Sequence, residues 1–359
     1  MIKKIMIRRY RANQKFIIIA IILGITIFYN DYFSYEIQKF KWATKDCNQC
    51  VKVLFVADPQ IIGEVNENYF GSWFARWDSD RYLANTFSRA LKHSQPDVIV
   101  FLGDLMDEGH IANLEDFTKY KNRLDKIFET PEHIMKIYLP GDNDIGGEED
   151  HVKPRIHDRF KFAYTQPDTL THKDVIFFKI NRLTRYMPNA PKDAFLNNYR
   201  DRNVTNVVLS HIPLLFTPGI FVKNVIKELS PQLIFTAHEH KALHLSFDST
   251  IDQLSVVWIF PPHENQFYNF RMELNDIHEI QIPTCSYRMG TRSMGYGLAH
   301  IDTQDKSLEF TVLWIPERFP KLLGYLLVVT IIIVLVKCTL ICSCCTSPNH
   351  VAYSPIPRV

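Results

Sequence analysis

The segment Val98–Gly109, VIVFLGDLMDEG, decides the fold. Five apolar residues are followed at once by a glycine and by Asp104, and then by two more acidic residues. The apolar run is too short for a helix and too apolar for an exposed strand, so it predicts a strand that is buried on both faces. In open α/β sheets, ligands bind at the carboxyl ends of such strands. The segment therefore predicts a buried strand that carries Asp104 to a functional site.

The same pattern recurs along the chain. Helical patterns, such as Asp80–His93 and Leu114–Phe128, lie between short apolar runs, and this alternation predicts an α/β fold. From Ser255 onward the pattern changes to strands with little helix. Residues 51–318 can bury one sizeable core, which predicts a single domain. The predicted buried strands are Val53–Ala57, Val98–Leu102, Ile134–Leu139, Val175–Ile180, Val207–Leu209 and Leu233–Phe235.

Five of these strands end in polar side chains, most of which can bind metal ions. A single Gly-Asp pair after a strand usually marks a turn, and a lone histidine there is usually a surface residue. Five such ends in succession, with carboxylates in the first three and imidazoles in the last two, exceed what turns require, because turns do not favour histidine. These strand ends are Asp58–Gln60, Gly103–Gly109, Gly141–Asp144, Ser210–Pro213 and Ala237–His240.

These side chains suit a pair of divalent cations. Two cations about 3.5–4 Å apart can clamp a phosphate ester and lower the pKa of a bound water. Because the cations repel each other, the pair needs a bridging carboxylate, and we predict that Asp104 is the bridge. His238 and His240 lie two residues apart at a strand end, so each can reach a different cation.

This order of motifs resembles that of the calcineurin-like metallophosphoesterases, whose motifs run D-x-H, G-D-x-x, G-N-H-[DE], H and G-H-x-H. The resemblance covers residues 51–245 and implies a four-layer α/β sandwich that binds two divalent metal ions. It implies that the first ion is bound by Asp58, Gln60, Asp104 and His240, and the second by Asp104, Asp142, His211 and His238.

Three positions depart from the family pattern. Gln60 stands where the first motif has histidine, and Asp142 where the third motif has its asparagine ligand. Asn143 replaces a histidine that resembles a transition-state stabiliser or proton donor, so the resemblance assigns a catalytic role to Asn143 beside Asp104. The ligand set is rich in oxygen, which favours manganese or magnesium over zinc. An inactive relative is the alternative, but every ligand position holds a side chain that can bind a metal.

A narrower resemblance is to the membrane-bound metallophosphoesterase 1 branch of the family. It rests on Gly103–Gly109, on Asp144–Gly146 and on a catalytic domain between two apolar segments. Members of this branch are described as manganese-dependent phosphodiesterases. The branch includes the enzyme that removes a side-chain ethanolamine-phosphate from a mannose of glycosylphosphatidylinositol (GPI) anchors.

The resemblance implies the same activity here, with Mn²⁺ as the metal and GPI-anchored proteins or GPI glycolipid as the substrate. It also implies association with a cargo receptor and a location in the early secretory pathway: ER exit sites, the ER–Golgi intermediate compartment and the Golgi. Two alternatives remain open. One is a phosphodiesterase for another lumenal lipid or sugar phosphate, and the other is a catalytically inactive metal-binding transport adaptor.

Both ends of the chain carry an apolar segment. Residues 1–15 hold six cations and no acid, and residues 16–35 form the first predicted transmembrane helix. A cleaved signal peptide is the alternative, but no small-x-small site follows the apolar run. Residues 322–342 form the second predicted transmembrane helix, which Lys337 alone interrupts. A buried core helix is the alternative there, but the segment has no polar face.

The charge distribution sets the predicted topology. The basic leader predicts a cytosolic N-terminus, and two spans then return residues 343–359 to the cytosol. The linker 36–50 and the domain 51–318 would thus be lumenal. Between the basic ends, the chain carries 33 basic and 39 acidic residues, a net charge of −6. This distribution does not suit a nucleic-acid-binding protein, whose cations lie on the folded body.

Cysteines and one glycosylation motif bear on the same topology. Cys47 and Cys50 predict a local disulfide or two free thiols, because a zinc site needs more ligands. The only N-x-[ST] motif begins at Asn203, in the predicted lumenal region. Four cysteines near the second span are candidates for S-acylation, with reduced thiols as the alternative. They are Cys338, Cys342, Cys344 and Cys345.

Two further segments have open interpretations. Tyr69–Tyr82, YFGSWFARWDSDRY, is rich in aromatic residues and predicts either ordinary packing of an amphipathic helix or a wall that faces a glycolipid or the membrane surface. Arg288, Arg292 and Tyr296 are candidates for contact with a substrate phosphate.

Overall fold

The computed structural model describes residues 2–47, 49–148, 150–188, 204–251, 253–273 and 275–345. The chain divides into two compact units, one of Met1–Ser34 and Arg318–Val359, and one of Tyr35–Glu317. The helices are α1 (Ile2–Phe28), a π-helix (Tyr29–Phe33), α2 (Ser34–Lys41), α3 (Ser72–Ser94), α4 (Leu114–Ile127), α5 (Asp142–Ile145), α6 (Pro154–Ala163), α7 (Ile220–Leu229) and α8 (Phe319–Cys345). The strands are β1 (Val51–Val56), β2 (Val98–Phe101), β3 (Met135–Tyr138), β4 (Thr169–His172), β5 (Val175–Lys179), β6 (Thr205–Leu209), β7 (Leu233–Thr236), β8 (Leu243–Asp248), β9 (Gln253–Ile259), β10 (Tyr268–Arg271), β11 (Asp276–Gln281), β12 (Gly295–Asp302) and β13 (Ser307–Trp314).

The Tyr35–Glu317 unit contains two mixed sheets. The strands of one are ordered β10-β13-β12-β1-β2-β3, and those of the other β4-β5-β6-β7-β11-β8-β9. The neighbours β1, β2 and β3 run parallel to one another, as do β5, β6, β7 and β11. Each sheet therefore brings the carboxyl ends of several adjacent strands to one edge.

Alternation along the strands produces the layers. Val53 and Phe55 of β1 face the second sheet, where the Phe55 ring stacks 4.1 Å from Phe235 of β7. Leu54 and Val56 of the same strand face the opposite way, toward a core that includes residues of α3, α4 and α6. On the far side of the second sheet, residues of β5, β6 and β7 pack against α7. The unit is therefore a helix–sheet–sheet–helix sandwich, the α/β architecture that the sequence predicted.

The six predicted buried strands are all present, each within two residues of its predicted bounds. The helix predicted over Asp80–His93 begins earlier, at Ser72. Three strands were not predicted: β4, β8 and β12. Of these, β12 pairs with both β1 and β13 and lies inside its sheet.

The unit of Met1–Ser34 and Arg318–Val359 contains most of two helical segments that are long and apolar enough to cross a bilayer. They are Gln14–Lys41, with a mean hydropathy of 1.9, and Phe319–Cys338, with 2.5. Length and composition alone make them candidate spans. Within this unit, Arg318 donates a 2.7 Å hydrogen bond to Asp31, and Lys321 donates one of 2.7 Å to Ser34.

Cys47 and Cys50 form a disulfide, one of the two states that the sequence left open. Asn203 lies outside the described residues, as does most of the predicted tail 343–359. The cysteines at 342, 344 and 345 belong to the end of α8, of whose side chains nothing is described.

Candidate metal centre

The two sheets bring their polar strand ends to one place. Asp58 and Gln60 follow β1, Asp104 follows β2, and Asp142 and Asn143 lie just beyond β3 in the first turn of α5. His211 follows β6 in the second sheet, and His238 and His240 follow β7. Because these strands are parallel neighbours within their own sheets, their carboxyl ends meet at the shared edge of the sandwich.

One group of possible metal ligands consists of Asp142, His211 and His238. Oδ1 of Asp142 lies 3.0 Å from Nε2 of His211 and 3.1 Å from Nδ1 of His238. Nδ1 of His211 lies 2.8 Å from the carbonyl oxygen of Leu102, to which it can donate. This hydrogen bond leaves Nε2 directed at the carboxylates, as is usual for histidines that bind metals.

A second group consists of Asp58, Asp104 and His211. Nε2 of His211 lies 3.5 Å from Oδ1 of Asp104. Asp58 is fully buried, and neither of its carboxylate oxygens has a hydrogen-bond partner among the described residues. A buried carboxylate without a partner is costly unless a cation compensates it. The unsatisfied oxygens of Asp58 therefore fit a metal ion at this position.

Gln60 and His240 border this second group. Nε2 of Gln60 donates a 2.9 Å hydrogen bond to Oδ2 of Asp104. Nε2 of His240 lies 4.0 Å from Oδ1 of Asp58. The structure thus gathers all seven residues that the resemblance assigned to metal binding, with His211 present in both groups and Asp104 accepting from the amide of Gln60.

Asn143, to which the resemblance assigned a catalytic role, lies against Asp104. Its backbone N–H donates to Oδ1 of Asp104 at 2.9 Å, and its side-chain amide donates to Oδ2 of Asp104 at 2.8 Å. Its carbonyl oxygen accepts from the backbone N–H of His110 at 2.8 Å. Asn143 therefore holds the orientation of Asp104 through two hydrogen bonds.

The backbone at the strand ends is unusual in a way that the site explains. Five of the seven candidate ligands have positive φ angles, which are uncommon for residues other than glycine and tend to cluster at functional sites: Asp58, Gln60, Asp104, His238 and His240. A Cβ atom at Gly103 would lie 2.7 Å from Nδ1 of His211, and one at Gly141 would lie 2.1 Å from Oδ1 of Asp104. Both glycines are required by close packing around the ligands.

The charges of the cluster depend on each other. Burial raises the pKa of Asp58 to about 8, although the nearby His211 opposes this rise. Burial lowers the pKa of His211, but the carboxylates around it, above all Asp104 and Asp142, outweigh burial and raise that pKa to about 10. Burial alone would raise the pKa of Asp142, but hydrogen bonds from His211 and His238 hold it well below its ordinary value. Burial lowers the pKa of His240 to about 4. A metal ion would therefore displace protons from the cluster, as is general for sites of this kind.

Three buried carboxylates outside the ligand set hold the ligand loops, and sequence reasoning missed their roles. Asp144 accepts hydrogen bonds from the backbone N–H groups of Leu105, Met106 and Gly141, and so joins the loops that follow β2 and β3. The signal for this role was its place in Asp144–Gly146, which the sequence analysis used only as a family motif.

Glu108 and Glu279 act in the same way on other loops. Glu108 accepts from the backbone N–H groups of residues 65, 66 and 67. Glu279 accepts from the backbone N–H groups of Leu214 and Leu215, just after His211, and from the hydroxyl of Thr236, just before His238. A glutamate inside the buried strand β11 is the sequence signal that could have indicated the second role.

The site opens into a cavity of about 700 Å³, whose lining includes Asp104, Asp142, His110 and Asn66. Tyr296, a candidate for contact with phosphate, is fully buried and hydrogen-bonded to Thr86, so that prediction is wrong. Arg288 forms an ion pair of 2.6 Å with Glu67. Arg292 is exposed.

Comparison with known proteins adds to this geometry. A family model for calcineurin-like phosphoesterases matches residues 51–242. A curated Metallophosphoesterase 1 homolog from Caenorhabditis elegans is 29% identical over 211 residues, which are 55% of this chain and 55% of that protein. Metallophosphoesterase 1 from Ailuropoda melanoleuca is 28% identical over 156 residues, 43% of this chain and 38% of that protein. The matches thus span about half, or less, of the length of these relatives.

Among solved structures, the purple acid phosphatase PPD1 from yellow lupin aligns with a TM-score of 0.44 at 11% identity, over 77% of this chain and 55% of that chain. The fold and the cluster of carboxylates and imidazoles define the class as an α/β sandwich with a candidate metal-binding site at the ends of its strands. The family model matches more than half of the chain. The chain therefore belongs to the calcineurin-like phosphoesterase family.

Proposed function

We propose that this protein is a metal-dependent phosphodiesterase that uses two divalent cations, with Mn²⁺ as the metal. The observation that carries the proposal is the pairing of two ligand groups that share His211, one of which contains the unpartnered carboxylate of Asp58. A vestigial site would have no reason to keep a buried carboxylate without a hydrogen-bond partner, because such a group destabilises the fold.

The candidate ligands divide between two ions. Asp142, His211 and His238 would hold one, and Asp58, Gln60 and His240 the other, with Asp104 between them. When bound, such ions neutralise the oxygens of a phosphate ester and make water a better nucleophile. Oxygen ligands outnumber nitrogen ligands in this set, which suits Mn²⁺.

The residues of the chain supply orientation. Leu102 fixes the tautomer of His211, and Asn143 and Gln60 fix the two carboxylate oxygens of Asp104. The open cavity of about 700 Å³ admits a substituted sugar phosphate. Because the amide of Asn143 is committed to Asp104 and does not titrate near neutrality, we assign proton donation to the leaving group to solvent or to His110, which lines the same cavity.

The proposed substrate is an ethanolamine-phosphate on a mannose of the GPI anchor, in the lumen of the early secretory pathway. The order of the motifs, the resemblance to the membrane-bound branch, and similarity to relatives named Metallophosphoesterase 1 support this choice. The two candidate spans support a domain held at a membrane. GPI-anchored proteins are then the cargo, and a cargo receptor is the proposed partner.

The test uses the full chain purified in detergent. It should hydrolyse an aryl phosphodiester when Mn²⁺ is present and lose that activity with a chelator. Asp104→Asn should abolish turnover while the protein still folds and traffics. Asp305→Asn, at an exposed position, is the control and should keep wild-type turnover. Activity of Asp104→Asn at the wild-type rate would refute the two-ion site.

The substrate needs a separate measurement. Cells that lack the protein should accumulate GPI anchors with one additional ethanolamine-phosphate and should export anchored proteins slowly. Mass spectrometry of the released anchors measures this directly. An unchanged profile together with an active purified enzyme would direct the search to another lumenal lipid or sugar phosphate. An inactive purified protein that still binds Mn²⁺ would favour the transport adaptor.

A further inference from the structure

Five exposed aromatic side chains lie in the first turns of α3 and just before it, and we call them the aromatic patch. They are Tyr69, Phe70, Trp73, Phe74 and Trp77, which are between 46% and 104% exposed. The sequence left two interpretations open, and the structure excludes ordinary core packing for these five residues. Apart from Ser72, the buried residues of α3 begin at Asp78. A contiguous exposed patch of large aromatic residues is rare on soluble surfaces and marks a site of interaction.

The patch is ordered by contacts among its own side chains. The ring of Phe74 lies 5.9 Å from that of Trp73 and 5.6 Å from that of Trp77. The guanidinium of Arg81 lies 5.5 Å above the ring of Trp77. Tryptophan and tyrosine beside arginine are typical of the interfacial region of a bilayer, where amphipathic rings lie at the level of the headgroups.

Further along, α3 contacts both ends of the Tyr35–Glu317 unit. The Tyr82 ring lies 6.0 Å from the ring of Tyr35, and the Tyr82 hydroxyl donates a 2.8 Å hydrogen bond to the carbonyl oxygen of Pro316. Arg89 donates a 2.9 Å hydrogen bond to Glu36. The chain leaves this unit at both of these places, and it continues directly into the unit that contains the two candidate spans. At a rise of about 1.5 Å per residue, Trp73 lies only about 14 Å along the helix from Tyr82.

The patch is also close in sequence to the metal cavity. Asn66 lines that cavity, and only two residues separate it from Tyr69, so the chain between them spans about 10 Å at most. This connection is held firmly, because Glu108 accepts hydrogen bonds from the N–H groups of Val65 and Asn66 and Glu67 pairs with Arg288. The aromatic patch therefore lies between the rim of the cavity and the two points where the chain leaves the unit.

We infer that the aromatic patch inserts into the interfacial region of the bilayer that the two candidate spans cross. This places the metal cavity beside the headgroups of that bilayer, so that the substrate class is a phosphodiester on a membrane-embedded glycolipid or lipid-anchored glycan. The inference rests on the two-span topology of the proposed function. It adds a surface that selects lipid-anchored over soluble substrates.

Fluorescence quenching tests insertion directly. The full chain has five tryptophans: Trp73 and Trp77 in the patch, the buried Trp42 and Trp314, and the half-buried Trp258. In phosphatidylcholine vesicles with bromine near the headgroup end of the acyl chains, the wild-type emission should be quenched. The double variant Trp73→Phe/Trp77→Phe keeps the patch aromatic and should lose most of the quenchable emission. Equal quenching in both proteins would overturn the inference.

A tryptophan in a candidate span tests insertion of the spans separately from insertion of the aromatic patch. Ile331→Trp, added to the double variant, should be quenched by bromine deep in the bilayer. If it is quenched and the patch tryptophans are not, the spans hold and the inference is wrong. If it is not quenched, the spans do not insert, and the membrane topology and the inference fail together.

A kinetic comparison tests the consequence. Trp73→Ser/Phe74→Ser/Trp77→Ser should hydrolyse a soluble aryl phosphodiester at the wild-type rate but a lipid-anchored aryl phosphodiester in vesicles at least tenfold more slowly. The matched control is Phe162→Ser on α6, which is 85% exposed outside the patch and should leave both rates unchanged. A patch variant that keeps both rates, or that instead dissociates a dimer, would overturn the inference. If the wild-type protein is inactive on the soluble ester, the proposed activity is refuted. The quenching experiment still tests whether the aromatic patch inserts into the bilayer.

Discussion

Asp58 is the residue at which stability of the fold and binding of a metal conflict most. Its carboxylate is fully buried without a hydrogen-bond partner among the described residues, and burial raises its pKa from 3.8 to about 8. Between these two pH values, the folded protein holds a proton that the unfolded chain releases. The contribution of Asp58 to the stability of the metal-free protein therefore falls as the pH rises from about 4 to about 8.

Asp58→Asn should remove this penalty. In the presence of a chelator, its melting temperature should exceed that of the wild type by a margin that grows from pH 5 to pH 8, at roughly 2–4 °C per kcal/mol for domains of 150–250 residues. Addition of Mn²⁺ should stabilise the wild type and not the variant, because the variant lacks a ligand. Thermal melts measure both effects, with Asp305→Asn as the exposed control. A variant less stable than the wild type in chelator at pH 8 would contradict this account.

Asn143 provides the second prediction at this scale. It donates two hydrogen bonds to Asp104, one of which comes from its side chain. Asn143→Ala should weaken Mn²⁺ binding about 10–100-fold, the usual effect of losing a group that orients a ligand. At saturating Mn²⁺ the rate should fall by less than the 10²–10⁴-fold typical of a lost general acid. Titration of activity with Mn²⁺ separates the loss of Mn²⁺ affinity from the loss of rate at saturation.

A histidine at the same position is the informative partner variant. Asn143→His removes the amide that orients Asp104 and should therefore not exceed the wild-type rate while Asp142 remains. His110→Ala would show whether an imidazole or solvent supplies the proton. A gain of roughly a hundredfold in Asn143→His would mean that the natural site lacks a donor and is weakened.

At the scale of elements, Glu279 links three parts of the second sheet. From inside β11 it binds the loop after β6, which begins at His211, and the end of β7, which precedes His238. Its position in the chain gives no hint of these partners, since they lie more than 40 residues away. The paired ligands therefore depend on a glutamate that is not itself a ligand.

Glu279→Ala should destabilise the fold by roughly 3 kcal/mol or more, because two backbone N–H groups and a hydroxyl lose their acceptor at about 1–3 kcal/mol each. It should also weaken Mn²⁺ binding. Glu279→Gln keeps one acceptor oxygen and should be intermediate in both. Chemical denaturation gives the free energy of unfolding, with the exposed Glu273→Ala as the control. Loss of stability with unchanged Mn²⁺ affinity would show that Glu279 does not position the ligands.

Prediction of elements from sequence succeeded for the six buried strands and failed for β4, β8 and β12. The apolar run of β2 predicts a strand directly, because a strand buried on both faces must be apolar throughout. In contrast, β12 contains Gly295 and Gly297, which disfavour strands locally. It becomes a central strand because β1 and β13 pair with it from both sides. Local propensity cannot report such pairing.

At the scale of the whole molecule, the charge distribution predicts the membrane topology. The basic leader and the net negative charge of the middle predict a lumenal domain between two spans. Asn203 should then carry a glycan that an N-glycosidase removes, whereas a glycosylation motif engineered at Ser347 should remain unmodified. A gel shift of the membrane-bound protein measures both. The reverse pattern would invert the topology and exclude a lumenal substrate.

The sequence by itself determined which residues could form the site, because a buried parallel strand must be apolar and must end at the ligand edge. The order of five such ends predicted carboxylates and imidazoles at one edge, and the family resemblance selected among them Asp58, Gln60, Asp104, Asp142, His211, His238 and His240. Only the tertiary structure decided what each atom does. The commitment of Asn143 to Asp104, the unpartnered oxygens of Asp58 and the role of Glu279 all arise from contacts between distant parts of the chain.

The aromatic segment shows the same division. Its composition is compatible with a core helix or with an exposed surface, since both use large apolar residues. Only the packing of α3, which buries Tyr82 and leaves Trp73 and Trp77 exposed, distinguishes them. Burial depends on which neighbours the fold brings to each face of a helix, and a single sequence does not specify these neighbours locally.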